Sequence, residues 1–238
     1  MDRQAPFSVL AFDVFGTVVD WRSGVIRAGE RLAARHGLQI DWPAFADAWR
    51  SAYQPTLERV RSGELPWTGL DQLHRMTLDA LLPRFGLASL SEADRHELNR
   101  SWHSLPPWPD AIEGLSRLKR RFIITTLSNG NVSLLTDMAR QAALPWDCIL
   151  SAELVRRYKP DAEVYLQVPR LFDVRPDQVL MVAAHVNDLK AAQQAGLRTA
   201  FVYRPAEWGP GAPPPRPPHD EFDYSAGDFL DLAAQLGA

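Results

Sequence analysis

This chain of 238 residues has a single cysteine, Cys148. One thiol cannot close an internal disulfide, so no covalent framework holds the fold, and a reducing cytoplasm is the expected compartment. Its neighbours Ile149 and Leu150 mark Cys148 as a buried strand thiol rather than a catalytic one. Charge imbalance is also missing. The net charge of -3 is too small to indicate nucleic acid or a membrane surface as partner. The N-terminus lacks a basic region leading into an apolar run, and no later segment is long and apolar enough to span a bilayer. No internal repeat is visible. What remains is 46% hydrophobic and 23% charged, an ordinary globular composition, with eight tryptophans. The length suits one large domain or a core with a smaller inserted one.

The periodicity changes twice along the chain. Ser8 to Phe12 reads as a short buried strand, after which residues from about Asp20 to Trp102 read as helices. Ser23 is the expected cap of a first helix ending at Gly37. Asp41 before Pro43 opens a second, with Phe45, Trp49, Tyr53 and Leu57 on one stripe. Leu70, Leu73, Thr77 and Leu81 form a third stripe ended by Gly86, and Ser91 with Asp94 opens a fourth helix. From Pro109 onward strands and helices alternate. Phe122 to Leu127, Cys148 to Leu154, Val179 to Ala183 and Thr199 to Tyr203 are the strands, and a last strand and helix follow Phe222. Such alternation predicts an α/β fold, a doubly wound parallel sheet covered on both faces. The first strand precedes the helical block and the others follow it. The reading is therefore a core of residues 1–19 and 104–238 with a helical cap, 20–103, inserted. Trp208 to Pro218, rich in Pro and Gly, is expected to be a loop over the core surface.

Four separate places put polar residues at strand ends: Asp13, Ser128-Asn129-Gly130, Lys159-Pro160-Asp161, and the group His185, Asn187 and Asp188. Each alone has a plain structural explanation, as a helix cap or a solvated side chain. In a doubly wound sheet, however, the carboxyl ends of the strands share one crevice, where these residues would meet. A carboxylate at that mouth is placed to act as a nucleophile.

The stretch Phe12-Asp13-Val14-Phe15-Gly16-Thr17 has the D-x-x-G-T pattern of the haloacid dehalogenase superfamily, which the chain resembles over nearly its whole length. The likeness is greatest to the L-2-haloacid dehalogenases (type II), with Ser128-Asn129-Gly130, Tyr158-Lys159-Pro160 and Trp49-Arg50 in register. The resemblance implies Asp13 as nucleophile supported by Thr17, and Ser128 and Asn129 holding the substrate carboxylate. It also implies Lys159 and Asp188 organising the aspartate and the hydrolytic water, Tyr165 as a substrate contact, and Arg50 holding the departing halide. Superfamily phosphatases carry a second Asp two positions after the first, as general acid. Here that position is Phe15, which moves no proton and suits a leaving group that needs none. Ala184 stands where a phosphatase has a metal-binding Asp, so no metal and no cofactor are expected. His185 replaces the family's halide-side Asn, a change resembling a subgroup with fluoride-releasing members, and is read as a second halide donor. A structural histidine at a strand end is the plainer alternative.

The activity implied is hydrolysis of a short 2-haloalkanoic acid to a 2-hydroxy acid and halide, through an ester on Asp13. A phosphatase on the same fold and a silent binding protein are the rival readings. Phe15 and Ala184 speak against the first, and the intact set Asp13, Lys159, Asp188 and Arg50 against the second. Of the cap tryptophans Trp21, Trp42, Trp49, Trp67 and Trp102, most are expected in packing, with one or two walling the pocket. His36, His74, His96, His103 and His219 have no metal-ligand spacing and receive no chemistry. A homodimer is a further implication of the family.

Overall fold

The computed structural model describes residues 7–211 and 213–238. The N-terminal reading before Phe7, and Ala212 within the Trp208–Pro218 loop, lie outside the described residues. Among the described residues one parallel sheet forms, of β1 (Val9–Phe12), β2 (Ile123–Ser128), β3 (Cys148–Ser151), β4 (Val179–Ala183), β5 (Arg198–Val202) and β6 (Tyr224–Ala226), in the order β3-β2-β1-β4-β5-β6. The segments Val9-Leu10-Ala11-Phe12 and Val179 to Ala183 are buried at every position, because helices cover both faces of a parallel sheet. Phe12 is in register with Thr126 on one side and Val182 on the other, so β1, β2 and β4 end within two residues of one another at the same edge of the sheet. β1 sits where the winding reverses, which is where such sheets open a crevice.

Between β1 and β2 come α1 (Trp21–His36), α2 (Trp42–Ser51), α3 (Tyr53–Arg61), α4 (Leu70–Leu81) and α5 (Glu92–Arg100), followed by α6 (Ala111–Lys119). α7 (Val132–Ala142), α8 (Ala162–Phe172), α9 (Val186–Gln194) and α10 (Phe229–Gln235) complete the order. The predicted helical block is present, with two local corrections in it and a third in the sheet. Asp20 caps α1: its carboxylate accepts from the Ser23 N–H at 3.0 Å, so Ser23 lies inside the first turn. The single stripe through Phe45, Trp49, Tyr53 and Leu57 breaks into two helices at Ala52. Pro55 explains the break, since it has no N–H to offer the carbonyl of Ser51. The third strand ends at Ser151 rather than Leu154, and the Ser151 hydroxyl accepts from the Glu153 N–H at 3.0 Å to start a 3₁₀ turn. Cys148, expected to be buried, is only half-buried, because β3 is an edge strand.

Trp21, Trp42, Trp49 and Trp102 are buried. Trp102, in the 3₁₀ turn Ser101–Ser104 that ends the block, stacks on His74 at 4.3 Å and meets Trp49 and Phe15 edge-on at 5.5 and 5.8 Å. This aromatic wall binds the helical block to the turn after β1 and backs the crevice described next.

Candidate active site

The turn after β1 carries Asp13 and Thr17. Thr17 donates its hydroxyl proton to Asp13 Oδ2 at 2.7 Å and accepts from the Ala184 N–H at 2.9 Å, so one side chain ties the ends of β1 and β4 together. Lys159 reaches in from the loop after β3. Its Nζ donates to Asp13 Oδ1 at 3.3 Å and to Asp188 Oδ2 at 2.6 Å. Tyr165, on α8, donates its hydroxyl to Asp188 Oδ1 at 2.6 Å. The backbone N–H of Lys159 is held by Asn129 Oδ1 at 2.9 Å, and Asn129 Nδ2 donates to the Tyr53 hydroxyl at 3.0 Å. Four segments distant in sequence thereby lock one carboxylate in place.

His185 lies between two carboxylates. Its Nδ1 is 3.1 Å from Asp13 Oδ2, and its Nε2 is 3.0 Å from Glu207 Oε1. Glu207 is 3% exposed and also accepts from Trp21 Nε1 at 3.2 Å. A ring with an acceptor at each nitrogen is best satisfied as the doubly donating imidazolium. Burial opposes that charge, but the bonds to Asp13 and Glu207 outweigh it and push His185 up to about 10. Burial likewise opposes ionisation of Asp13. The Lys159 ammonium, His185 and the Thr17 hydroxyl outweigh it and hold the carboxyl well below the usual range. Asp188 is raised: burial dominates, and the Asp13 charge adds to it against Lys159 and Tyr165. Lys159 is shared by both carboxylates, and its ammonium favours the charged form of each.

These groups line a cavity of about 570 Å³ with Phe15, Arg50, Tyr53, Asn129 and Asn187. The Arg50 guanidinium lies over the Tyr53 ring at 4.4 Å and the Trp21 ring at 5.5 Å. Its Nη1 is buried with no hydrogen-bond partner. A desolvated donor of a permanent cation, on a side chain that lines a cavity, calls for an anion.

The residues singled out from sequence thus come together with different freedom. Asp13, Lys159, Asp188, Tyr165, Asn129, Arg50 and His185 all line the cavity. Thr17 and Ser128 do not: both are fully buried, and the Ser128 hydroxyl accepts from the Gly130 N–H at 3.1 Å. The Tyr165 hydroxyl proton is committed to Asp188, and both His185 nitrogens are committed to carboxylates. Sequence reading missed Glu207 and Tyr53. Tyr53 reads in sequence as part of an apolar stripe, and Glu207 stands beside a Pro-rich loop with no local pattern to single it out.

A hard cation would find few oxygens here. Phe15 contributes a ring and Ala184 a methyl group, and both remaining carboxylates already hold Lys159. The donor set does not fit the Mg²⁺ centre of a phosphatase.

The helix-flanked parallel sheet is shared with characterised proteins. (S)-2-haloacid dehalogenase 1 from Pseudomonas sp. (strain CBS-3) is 29% identical, the match covering 84% of this chain and 86% of that one. The crystal structure of a defluorinating L-2-haloacid dehalogenase is 46% identical and superposes with a TM-score of 0.94, covering 98% of this chain and 96% of that one. An L-2-haloacid dehalogenase from Xanthobacter autotrophicus, with chloropropionic acid covalently bound, shares the fold at a TM-score of 0.82 and 23% identity, over 98% and 99% of the two chains. The family model for haloacid dehalogenase-like hydrolases matches residues 7–196, from Phe7 to just beyond α9. With the Asp13 turn, the Lys159 loop and the Asp188 helix all inside that span, the chain belongs to the haloacid dehalogenase-like hydrolases.

Proposed function

We propose that this protein is a 2-haloacid dehalogenase, hydrolysing short 2-haloalkanoic acids to 2-hydroxy acids and halide. The observation that carries the reading is one cavity lined by both an anionic, buried Asp13 and Arg50, whose guanidinium keeps one buried nitrogen without a partner. Oδ2 of Asp13 takes bonds from Thr17 and His185, whereas Oδ1 has only the longer one from Lys159, so Oδ1 is the freer oxygen for attack. It displaces halide from C2 and forms an ester. The Arg50 charge favours the developing halide, and Asn129 orients the substrate carboxylate. Ser128 shapes that loop from beneath.

Esterification removes the Asp13 charge and with it one of the two groups that keep His185 protonated. Nδ1 can then release its proton to solvent through the cavity, the proton that accompanies halide in the net reaction, and accept one from water as the water attacks the ester carbonyl. Glu207 steadies the imidazolium so formed, which passes the proton to the departing 2-hydroxy acid oxygen, and the freed Asp13 carboxylic acid returns its own proton to Nδ1, restoring the starting pair. This role replaces halide donation for His185, whose nitrogens are both turned toward carboxylates. Tyr165 and Asp188 keep Lys159 aimed at Asp13.

The helical block, residues 20–103, serves as the cap over the core in this reading, and the family resemblance supports a cytoplasmic homodimer. Among the described residues, no helix is long and apolar enough to cross a membrane. The test is parallel assay of halide from chloroacetate and fluoroacetate and of phosphate from a generic ester, with and without chelator. Chloride release that persists in chelator is expected, with fluoride released more slowly. Phosphate release, or halide release that chelator abolishes and Mg²⁺ restores, would overturn the reading.

A further inference from the structure

His103 lies outside the cavity and is 2% exposed, in the 3₁₀ turn by which the chain leaves the helical block. Its Nδ1 is 2.8 Å from Asp137 Oδ2 on α7, a helix of the core. Its Nε2 is 3.0 Å from both carboxylate oxygens of Asp71, in the first turn of α4. With a carboxylate at each nitrogen the ring is a doubly donating imidazolium, since a neutral ring would serve only one. Asp71 is tied to the core a second time. Asn131 Nδ2 donates to its carboxylate at 2.9 Å, and the Asp71 N–H donates to Asn131 Oδ1 at 3.1 Å. Asn131 directly follows the Ser128-Asn129-Gly130 loop.

From α4 the connection continues to the cavity. The Trp49 indole N–H is shared by the His74 carbonyl and the Thr77 hydroxyl of α4, each at 3.1 Å. Trp102, adjacent to His103, packs on both His74 and Trp49. Trp49 is the residue before Arg50. The position of the Arg50 guanidinium relative to Asp13 therefore depends on where α4 sits on the core, and the His103 bridge sets that seat.

We infer that His103 is a positioning residue: as a cation shared by Asp71 of the helical block and Asp137 of the core, it holds α4, Trp49 and hence Arg50 in register with Asp13. The inference rests on the dehalogenase reading, because the step it serves is stabilisation of the departing halide. A displacement of about 1 Å at a reacting group can cost on the order of 10²-fold in rate, so a remote tether can matter this much.

The test is a double-mutant cycle. His103→Ala is expected to lower kcat for chloroacetate about tenfold with KM changed less than about threefold, the signature of a lost transition-state interaction. Arg50→Lys keeps the charge but not the planar fork, leaving measurable turnover. In that background His103→Ala should cost less than about twofold, since coupled residues are non-additive. Asp137 also accepts from Arg100 Nη2 at 2.7 Å, so Asp137→Asn is read against Arg100→Gln, which breaks that ion pair alone; beyond that control Asp137→Asn should reproduce part of the loss, about threefold, with the same non-additivity. Independent, multiplying losses in the two backgrounds would overturn the inference, as would full activity in Asp137→Asn. Absence of halide release by the wild type would instead overturn the dehalogenase reading and this inference with it.

Discussion

Asp13 and His185 constrain each other's protonation, and that coupling makes the residue scale testable. Asp13 remains an anion because three donors converge on it, and His185 remains a cation because Asp13 and Glu207 flank it. If Asp13 is the nucleophile, a single turnover in ¹⁸O-water should label the Asp13 carboxylate and leave the product hydroxyl unlabelled. Label appearing first in the product would make Asp13 a general base for direct attack by water. Asp13→Asn should abolish turnover under either mechanism. The His185 ring should titrate near 10 in an NMR pH series. Its folded value lies above the ordinary one, so its contribution to stability is present below about 6.5 and lost as pH rises toward 10. Glu207→Gln removes one flanking charge and should lower the titration midpoint by about one unit or more. An unmoved midpoint would remove Glu207 from the proposed water-activating pair.

At the scale of elements, the turn after β1 does more than its length suggests. Gly16 has φ +83, a left-handed conformation that side chains resist, and its carbonyl accepts from the Trp108 indole at 2.9 Å. A Cβ at this position would overlap the Glu207 carboxylate and crowd the His185 ring. Gly16→Ala should therefore cost about 1–3 kcal/mol of stability, from strain at positive φ, and should also displace Glu207 from His185. Denaturant melts together with the His185 titration would show both effects. A melt shift with the histidine unmoved would mean that the loop carrying Glu207 yields independently. Elsewhere the local signals agreed with the structure where a single residue type dictated the geometry. Gly37 and Gly86 end their helical segments in the left-handed conformation, and Asp41 caps α2 through the Ala44 N–H at 3.0 Å. The signals failed where two instructions competed, as at Pro55, which interrupts an apolar stripe that otherwise reads as continuous.

For the whole molecule, the meeting of helical block and core is electrostatic as well as apolar. Burial lowers His103, but the bonds to Asp71 and Asp137 outweigh it and leave the group raised above 6.5. Its stabilising contribution is thus complete below about 6.5 and disappears as pH rises through the folded value. Urea midpoints of wild type and His103→Gln should differ most near about pH 6 and converge in alkali. A gap that stays constant with pH would mean that His103 acts through packing alone. The sheet order supplies the other half of the arrangement. Because β1 lies between β2 and β4, residues 13, 129 and 188 emerge side by side, and the loop after β3 needs only one long lysine to join them.

What the sequence determined by itself was the set of local and periodic choices: buried strands as unbroken apolar runs, helices as stripes, and polar residues at strand ends. Those features follow from backbone geometry and solvent, and so they show in short windows. The grouping of Asp13, Lys159 and Asp188 was also legible, because the topology of a doubly wound sheet dictates where strand ends go. Tertiary structure alone decided which hydrogen-bonding atoms remained free. The family pattern assigns Ser128 and Tyr165 to the substrate, but Ser128 is fully buried with its hydroxyl oxygen accepting from the Gly130 N–H, and the Tyr165 hydroxyl proton goes to Asp188. The same pattern assigns His185 to halide, but its ring faces Asp13 and a Glu207 that carries no sequence signal. Hydrogen-bond capacity is finite and directional, so the use of each donor depends on every neighbour that folding brings within about 3 Å. That is a property of the assembled site, and no window of sequence contains it.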